Sequence, residues 1–226
     1  MKLNRLLPLL ALPLLAACAP EIEATLKVSE ITAVAEGGSP VTVPALLRIP
    51  QKGTDECKEG LAALIEKLKA LAPVTGQGQC ISKDQHGSGT QLAEIETEVQ
   101  LVPPGTEIAE PNLFVIEAAM TDEGRTDLTF KMLRPIGDVI AALQAENPMQ
   151  VSFDPSVFLL KFENDTTDKM ELLASHVYID GEPILSENGG GYDLRPKKTV
   201  TLQFSDVASS YVEAGNSYYF VTLGPA

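Results

Sequence analysis

The sequence predicts an α+β fold with antiparallel sheets and one helix per half, arranged as two small subdomains in tandem. Strand-like runs between Gly/Pro turns, and two stretches with apolar residues at helical spacing, indicate this class. The composition also changes along the chain, because all twelve aromatic residues lie beyond residue 112 and all three cysteines lie before residue 81. Residues 103–112 contain prolines and a glycine, which favours a linker between subdomains at 18–102 and 113–226.

The first subdomain is predicted to begin with a hairpin. Residues 25–35 and 41–49 have strand composition and flank a Gly-Gly-Ser-Pro turn. A helix is then predicted from an N-cap at Thr54 to Pro73, because apolar residues recur there at helical spacing. Residues 93–101 alternate strictly between apolar and polar, which predicts a strand with three acids on one face: Glu94, Glu96 and Glu98.

The second subdomain loosely repeats this order. Strands are predicted at 113–120 and 127–133, followed by a helix that begins at Pro135 and ends at Asn147. The remaining segments with strand composition are 157–162, 170–179, 199–204 and 218–223.

The charge of the chain restricts its partners. The 226 residues include 17 Lys and Arg against 31 Asp and Glu, a formal net charge of −14. Contacts to phosphate need clustered basic side chains, so this balance argues against nucleic acid as a partner.

The first eighteen residues have the organisation of an export signal. Lys2 and Arg5 precede an apolar run at 6–17 that is too short to span a bilayer, which needs roughly 20 residues. The run ends in Leu-Ala-Ala before Cys18, a tetrad that resembles the lipobox of bacterial lipoproteins. The resemblance implies that residues 1–17 are a signal peptide and that Cys18 is acylated. An ordinary secretory signal with an incidental cysteine is the alternative.

The same resemblance implies a location. In Gram-negative hosts of the enteric type, Ala19 after the acylated cysteine directs a lipoprotein to the inner leaflet of the outer membrane, facing the periplasm. Without residues 1–17 the chain carries a net charge of −16. Anionic headgroups repel such a surface, so the lipid on Cys18 is expected to be the membrane contact. Only three residues separate Cys18 from the first apolar alternation, which predicts a domain held close to its membrane.

Cys57 and Cys80 remain as an even pair. In an oxidising compartment such a pair favours a disulfide, and Cys57 lies on the apolar stripe of the predicted helix. A catalytic or metal-binding cysteine is the alternative, although there is no Cys-x-x-Cys and the one histidine near in sequence is His86.

The start of the mature chain resembles a second group. Cys18, Glu21 and Glu23 form an acidic Cys-x-x-Glu-x-Glu start, followed by a Leu/Val-rich strand and the spaced pair Cys57 and Cys80. This order is similar to small lipoproteins encoded by tailed phages and prophages, over about the first hundred residues. The resemblance implies a phage or prophage origin and carries no catalytic residues.

The residues suited to catalysis or metal binding are few. His86 and His176 are the only histidines in the sequence. His86 is predicted to lie in a solvated turn, and His176 is predicted to be a surface or cross-strand residue. The acids at 94–98 and 163–168 have oxygen ligands for a cation. The preferred interpretations are a solvated face that also protects an edge strand for the first group, and a polar hairpin turn for the second. The Gly-rich segment 187–191 lacks the Lys-Ser/Thr of a phosphate-binding loop. We therefore expect no catalytic, cofactor or metal site.

These observations predict a function that needs an anchor and a rigid surface. The chain is expected to be a non-enzymatic periplasmic lipoprotein that binds a protein or envelope component, with superinfection exclusion or envelope modulation as possible roles. The alternative is a small periplasmic hydrolase or metal-dependent enzyme, which would need a cluster of polar side chains around His86 or His176.

Overall fold

The computed structural model describes residues 19–85, 88–134, 156–184 and 190–226. The described helices are α1 (Val28–Ala35), α2 (Thr54–Leu68) and α3 (Asp206–Glu213). The described strands are β1 (Glu21–Lys27), β2 (Val41–Gln51), β3 (Gln79–Gln85), β4 (Ser88–Val102), β5 (Phe114–Met120), β6 (Thr126–Met132), β7 (Val157–Glu163), β8 (Met170–Ala174), β9 (Val177–Ile179), β10 (Glu182–Ile184), β11 (Gly190–Leu194), β12 (Thr199–Phe204) and β13 (Tyr218–Pro225).

All of these strands belong to one curled mixed sheet. Twelve follow the order β10-β9-β12-β7-β1-β2-β4-β5-β6-β13-β8-β11, and β3 pairs with β4 beside that path. Two pairs are parallel, β1 with β7 and β4 with β5. The predicted α+β class, with antiparallel sheets and one helix per half, is therefore wrong, since the protein is mostly β. The error arose because pairing between strands that are distant in sequence leaves no local pattern.

The core contains residues from both halves of the chain. β1 lies between β2 and β7, so Glu21 aligns with Arg48 on one side and Val157 on the other. The largest fully buried side chains include Ile22 and Leu26 together with five phenylalanines: Phe130, Phe158, Phe162, Phe204 and Phe220. The aromatic second half thus packs on the same core as β1. The segment at 103–112, predicted as a linker, joins β4 to its parallel neighbour β5.

The first predicted hairpin is interrupted by a helix. β1 and β2 do pair antiparallel, but residues 28–35, predicted as strand, form α1. The prediction followed the β-branched residues there, whereas the buried positions Val28, Ile31 and Val34 are spaced by three and face the core as a helix does.

The first predicted helix is confirmed, although it ends at Leu68 rather than near Pro73. α2 begins at Thr54 and its buried residues are Cys57, Ile65 and Leu68. Gly53 occupies the N-cap position and makes no side-chain hydrogen bond, so the predicted cap at Thr54 is wrong by one residue. The Cys57–Cys80 disulfide is present and joins α2 to β3.

Most predicted strands are confirmed within a few residues, namely those at 93–101, 113–120, 127–133, 157–162, 199–204 and 218–223. The predicted strand at 170–179 is two strands, because the chain turns at His176, whose φ is 57°. β8 pairs with β13 and β11, whereas β9 pairs with β12 and β10. α3 was not predicted. The helix expected from Pro135 to Asn147 lies outside the described residues.

The sheet has two ends that matter for function. The end at which β1 and β7 begin and β12 ends is called the proximal end. The opposite end, at which β1 ends, is called the distal end. α1 follows β1 at the distal end, and α3 follows β12 at the proximal end. No helix in the described ranges is long and apolar enough to cross a membrane.

Candidate functional site

The chain enters the sheet directly after the predicted lipidation position. Cys18 itself lies outside the described residues, but Pro20 is buried and its carbonyl accepts a hydrogen bond of 2.8 Å from the Val157 N–H. β1 begins at the next residue, Glu21. The described chain therefore has no flexible spacer after Ala19.

An ion-pair network lies on the outer face of the sheet, the face turned away from the core. At its centre, the Arg48 guanidinium contacts Glu21, lies 3.0 Å from Glu23 and 2.7 Å from Glu94. Strand register explains this arrangement, because Arg48 on β2 is aligned with Glu21 on β1 and with Glu94 on β4.

Two lysines complete the network. The ammonium of Lys83 lies 2.6 Å from Glu21, and that of Lys161 lies 2.6 Å from Glu23. Three basic and three acidic side chains from five strands thus balance one another. The side chains of Glu21 and Glu23 are only 8% and 11% exposed, so their charges depend on these partners.

The network shifts the pKa values of its members. Burial acts to raise the pKa of Glu23, but hydrogen bonds from Lys161 and Arg48 outweigh it and the pKa lies below its usual value. Burial likewise opposes the hydrogen bonds from Gln79 and Arg48 that lower the pKa of Glu94. For Arg48, burial acts to lower the pKa, but the surrounding glutamates raise it, so the guanidinium stays charged.

A cleft of about 350 Å³ opens beside the network. Its lining comes from β1, β2, β4 and the segment before β3: Glu23, Thr25, Thr42, Pro44, Ala45, Leu46, Thr75, Glu96, Thr97 and Glu98. Two hydrogen bonds of 3.0 Å hold that segment along β4, from the Thr75 N–H to the Glu96 carbonyl and from the Thr97 hydroxyl to the Pro73 carbonyl. Gly76 lies so close to the Glu96 carboxylate that an added Cβ would collide with it.

The three glutamates of β4 have different environments. Glu94 belongs to the ion-pair network, whereas the carboxylates of Glu96 and Glu98 make no hydrogen bond or ion pair within the described ranges. The prediction that these acids protect an edge strand is wrong, since β4 pairs with β2 on one side and with β3 and β5 on the other. The cleft therefore has a net negative charge beside a neutral network.

The other predicted residues do not form a reactive cluster in the part of the chain that is described. His176 is exposed in the turn between β8 and β9 rather than on a strand, and His86 lies outside the described residues. The segment after β7 is polar but is not the predicted hairpin turn, since β7 pairs with β1 and β12 whereas β8 pairs with β13 and β11. Its Asn164 is buried and donates hydrogen bonds to the carbonyls of Asp168 and Leu194. Among the described residues, no group of three His, Cys, Asp or Glu could hold a metal ion.

Sequence reasoning missed Arg48, Lys83 and Lys161. A signal was available for Arg48, because it is the only charged residue in the sequence of β2. Its three carboxylate partners lie on β1 and β4, and only the pairing register of these strands with β2 brings them next to Arg48. The network itself could therefore not be predicted from the sequence.

The fold and the outer-face site define a class of β-rich protein with a single curled mixed sheet, a charge-balanced network and an acidic cleft. The chain belongs to the family of a domain of unknown function, DUF7424, whose family model matches residues 20–224. No curated protein and no solved structure matches the chain. The matched range begins two residues after Cys18 and includes nearly all of both predicted subdomains.

Proposed function

We propose that this protein is a lipid-anchored, non-enzymatic binding protein of the bacterial envelope. Cys18 carries the acyl chains, and the protein faces the periplasm from the inner leaflet of the outer membrane. The observation that carries the proposal is the hydrogen bond from Val157 to the carbonyl of Pro20, two residues after Cys18. A lipid on Cys18 would be attached almost directly to the sheet.

The short attachment favours a task at the membrane surface. Three extended residues span about 10 Å, so the proximal end stays next to the headgroups. Acyl chains contribute about 0.8 kcal/mol per buried methylene, which is enough for stable anchoring when several chains are present. The strongly acidic surface adds no attraction to anionic lipid.

The cleft is the surface that we propose for the partner. The carboxylates of Glu96 and Glu98 have no ion-pair partner among the described residues, whereas the acids of the network are already neutralised. A partner with a positively charged segment would complement this lining, in a cleft whose walls are held by backbone hydrogen bonds. The partner class is an envelope protein or another envelope component that carries cationic groups.

The resemblance to phage lipoproteins supports a more specific role. A protein held at the membrane and binding an envelope component could block a phage receptor against superinfection. Such a role needs occupancy of the partner rather than turnover of a substrate.

The anchor is tested by metabolic labelling with palmitate. We expect the label in the wild type and none in Cys18→Ala. The matched control is the double variant Cys57→Ala/Cys80→Ala, which loses the other two cysteines and should keep the label. Equal incorporation into the Cys18→Ala protein would contradict the proposal.

The binding role is tested by phage plating and by crosslinking to envelope components. Cys18→Ala should abolish protection and crosslinking while the fold survives, since the high effective concentration at the membrane is lost. His86→Gln combined with His176→Gln should change neither readout. Loss in the histidine variant with retention in the unanchored one would instead favour an enzyme.

The cleft has a separate test. Glu96→Gln/Glu98→Gln should weaken crosslinking to the partner, whereas Glu59→Gln/Glu66→Gln on α2 removes the same charge elsewhere and should leave it unchanged. A charge-reduced cleft that crosslinks as well as the wild type would show that the partner binds at another surface.

A further inference from the structure

α3 presents an apolar face to solvent at the proximal end. Val207 is 77% exposed and Tyr211 is 49% exposed, and their spacing of four places both side chains on one face of the helix. Leu133, which is 42% exposed, directly follows β6, a strand against which α3 packs. Val207 is the most exposed of the large apolar side chains in the described residues.

Hydrogen bonds connect this helix to the start of the mature chain. The N–H of Ser156 donates to the Glu213 carboxylate of α3 at 2.7 Å. The next N–H, that of Val157, donates to the carbonyl of Pro20 at 2.8 Å. α3 is therefore fixed within a few residues of Cys18, and its apolar face cannot move away from the attachment point.

The face is rigid rather than a frayed helix. The Ser205 side chain caps α3 by accepting a hydrogen bond of 3.3 Å from the Ala208 N–H. The Tyr211 ring packs edge-on against Tyr218, with centroids 6.4 Å apart, and Tyr218 packs against the buried Phe204. The exposure of Tyr211 is thus part of a packed arrangement.

The size of the face indicates what covers it. A stable protein interface buries about 1,200 Å² or more, which three partly exposed side chains cannot supply. Contact with a membrane interface does not need this much buried area, because the lipid anchor provides most of the affinity. Tyrosine is also favoured at the depth of the headgroups. The acidic character of the chain points to a zwitterionic lipid surface.

We propose that the α3 face formed by Val207 and Tyr211 lies in the membrane interface beside Cys18. This inference rests on the anchoring proposed above. It assigns the protein one orientation, with α3 towards the lipid and the distal end towards the periplasm.

The test uses the absence of tryptophan from the sequence. Tyr211→Trp introduces a single fluorophore on α3. Met120→Trp is the matched control, since Met120 is 40% exposed and lies at the end of β5. β5 runs in the same direction as β1, so this residue lies at the distal end of the sheet. The chain from Cys18 onward is coupled through this cysteine, its one thiol outside the disulfide, to maleimide-lipid in phosphatidylcholine vesicles.

Brominated lipid in these vesicles should quench Trp at position 211 to about half its emission, because an interfacial residue lies within roughly 10 Å of the acyl boundary. Trp at position 120 should keep its emission. Adding Val207→Asp to the Tyr211→Trp protein should remove the quenching without unfolding, since an acid is favourable in the first turn of a helix.

The inference would be overturned by no quenching at position 211 in the coupled protein, or by equal quenching at positions 120 and 211. A blue shift of Trp at position 211 without vesicles, dependent on protein concentration, would assign the face to a second copy and would also overturn it. The maleimide coupling anchors the protein through Cys18 whether or not the cell acylates this residue. A failure of palmitate labelling therefore counts against the proposed function alone.

Discussion

The Arg48 guanidinium contacts three carboxylates at once. Its planar group donates in different directions to Glu94 and Glu23 while it contacts Glu21. Its side chain is 12% exposed, so removing it would leave acidic groups with little access to water. The network is therefore more sensitive to the loss of one member than a surface ion pair would be.

We predict that Arg48→Met lowers the free energy of unfolding by about 3 kcal/mol at pH 7, because the nearby glutamates lose their partner. Arg48→Lys should lower the free energy of unfolding by less, since the ammonium group keeps the positive charge but lacks the planar arrangement of donors in a guanidinium. Urea unfolding measures both. Arg195→Met, at an exposed arginine, is the control and should change stability by less than about 0.5 kcal/mol. An Arg48→Met protein as stable as this control would contradict the prediction.

The lowered pKa values of Glu23 and Glu94 predict how stability depends on pH. Their folded-state pKa values lie below the ordinary value of 4.5, so the unfolded chain binds protons first as the pH falls. The stabilisation is complete at pH 7 and is lost as the pH falls below about 4.5 and through the folded-state pKa values. Urea midpoints measured from pH 7 to pH 3 test this. In Arg48→Met the decline should be shallower, and equal slopes would exclude the network as its cause.

At the scale of elements, α1 takes its N-terminal cap from a distant turn. The N-cap residue Lys27 makes no side-chain hydrogen bond, while the Asp165 carboxylate accepts from the N–H of Ser29 at 3.0 Å and from its hydroxyl. Burial acts to raise the pKa of Asp165, but the hydrogen bonds from Ser29 outweigh it and the pKa is lowered. The turn after β7 thus fixes the helix that follows β1.

Asp165→Ala should lower the free energy of unfolding by about 1 kcal/mol, the usual loss for a removed helix cap. The control is Asp168→Ala in the same turn, where the backbone carbonyl rather than the carboxylate accepts the hydrogen bond from Asn164. Thermal unfolding at pH 7 compares the two variants. Equal midpoints would show that the carboxylate of Asp165 does not act as a cap.

The disulfide connects the outlying elements α2 and β3 to each other. Cys57 and Cys80 are 23 residues apart in sequence, and closing a loop of this length stabilises the fold by about 3 kcal/mol in the chain-entropy model. Cys57→Ala/Cys80→Ala should lose that amount in urea unfolding. Reductant should destabilise the wild type by a similar amount and leave the variant unchanged. A reductant-insensitive wild type would contradict this role.

The sequence predicted these elements unevenly, for physical reasons. The alternation of Glu94, Glu96 and Glu98 depends on a period of two, so their shared face followed from residues within one strand. α1 was missed because β-branched residues favour strands, and burial against the core overrode that preference at Ile31 and Val34. The ion-pair network could not be predicted from the sequence, because Lys161 and Glu23 are 138 residues apart and come into contact only through the parallel pairing of β1 with β7.

At the scale of the whole molecule, that parallel pairing joins the first and second halves. β1 has β2 on one side and β7 on the other, and β4 reaches the second half through β5. The ring of Phe130 packs with three others that come from β5, β7 and β12: Phe114, Phe158 and Phe204. The apolar face of β1 is therefore covered only when both halves are present.

We predict that neither residues 19–102 nor residues 113–226 fold alone. The first fragment would expose the apolar side of β1 and an unpaired strand edge, and the second would expose its phenylalanines. Circular dichroism and thermal unfolding of each fragment should show no cooperative transition. A protease site inserted between Glu107 and Ile108, in the exposed segment that joins β4 to β5, provides the control. After cleavage the two halves should remain associated and unfold together, because the pairing of β1 with β7 does not need this connection. A cooperative transition in either separate fragment would show that this half folds independently.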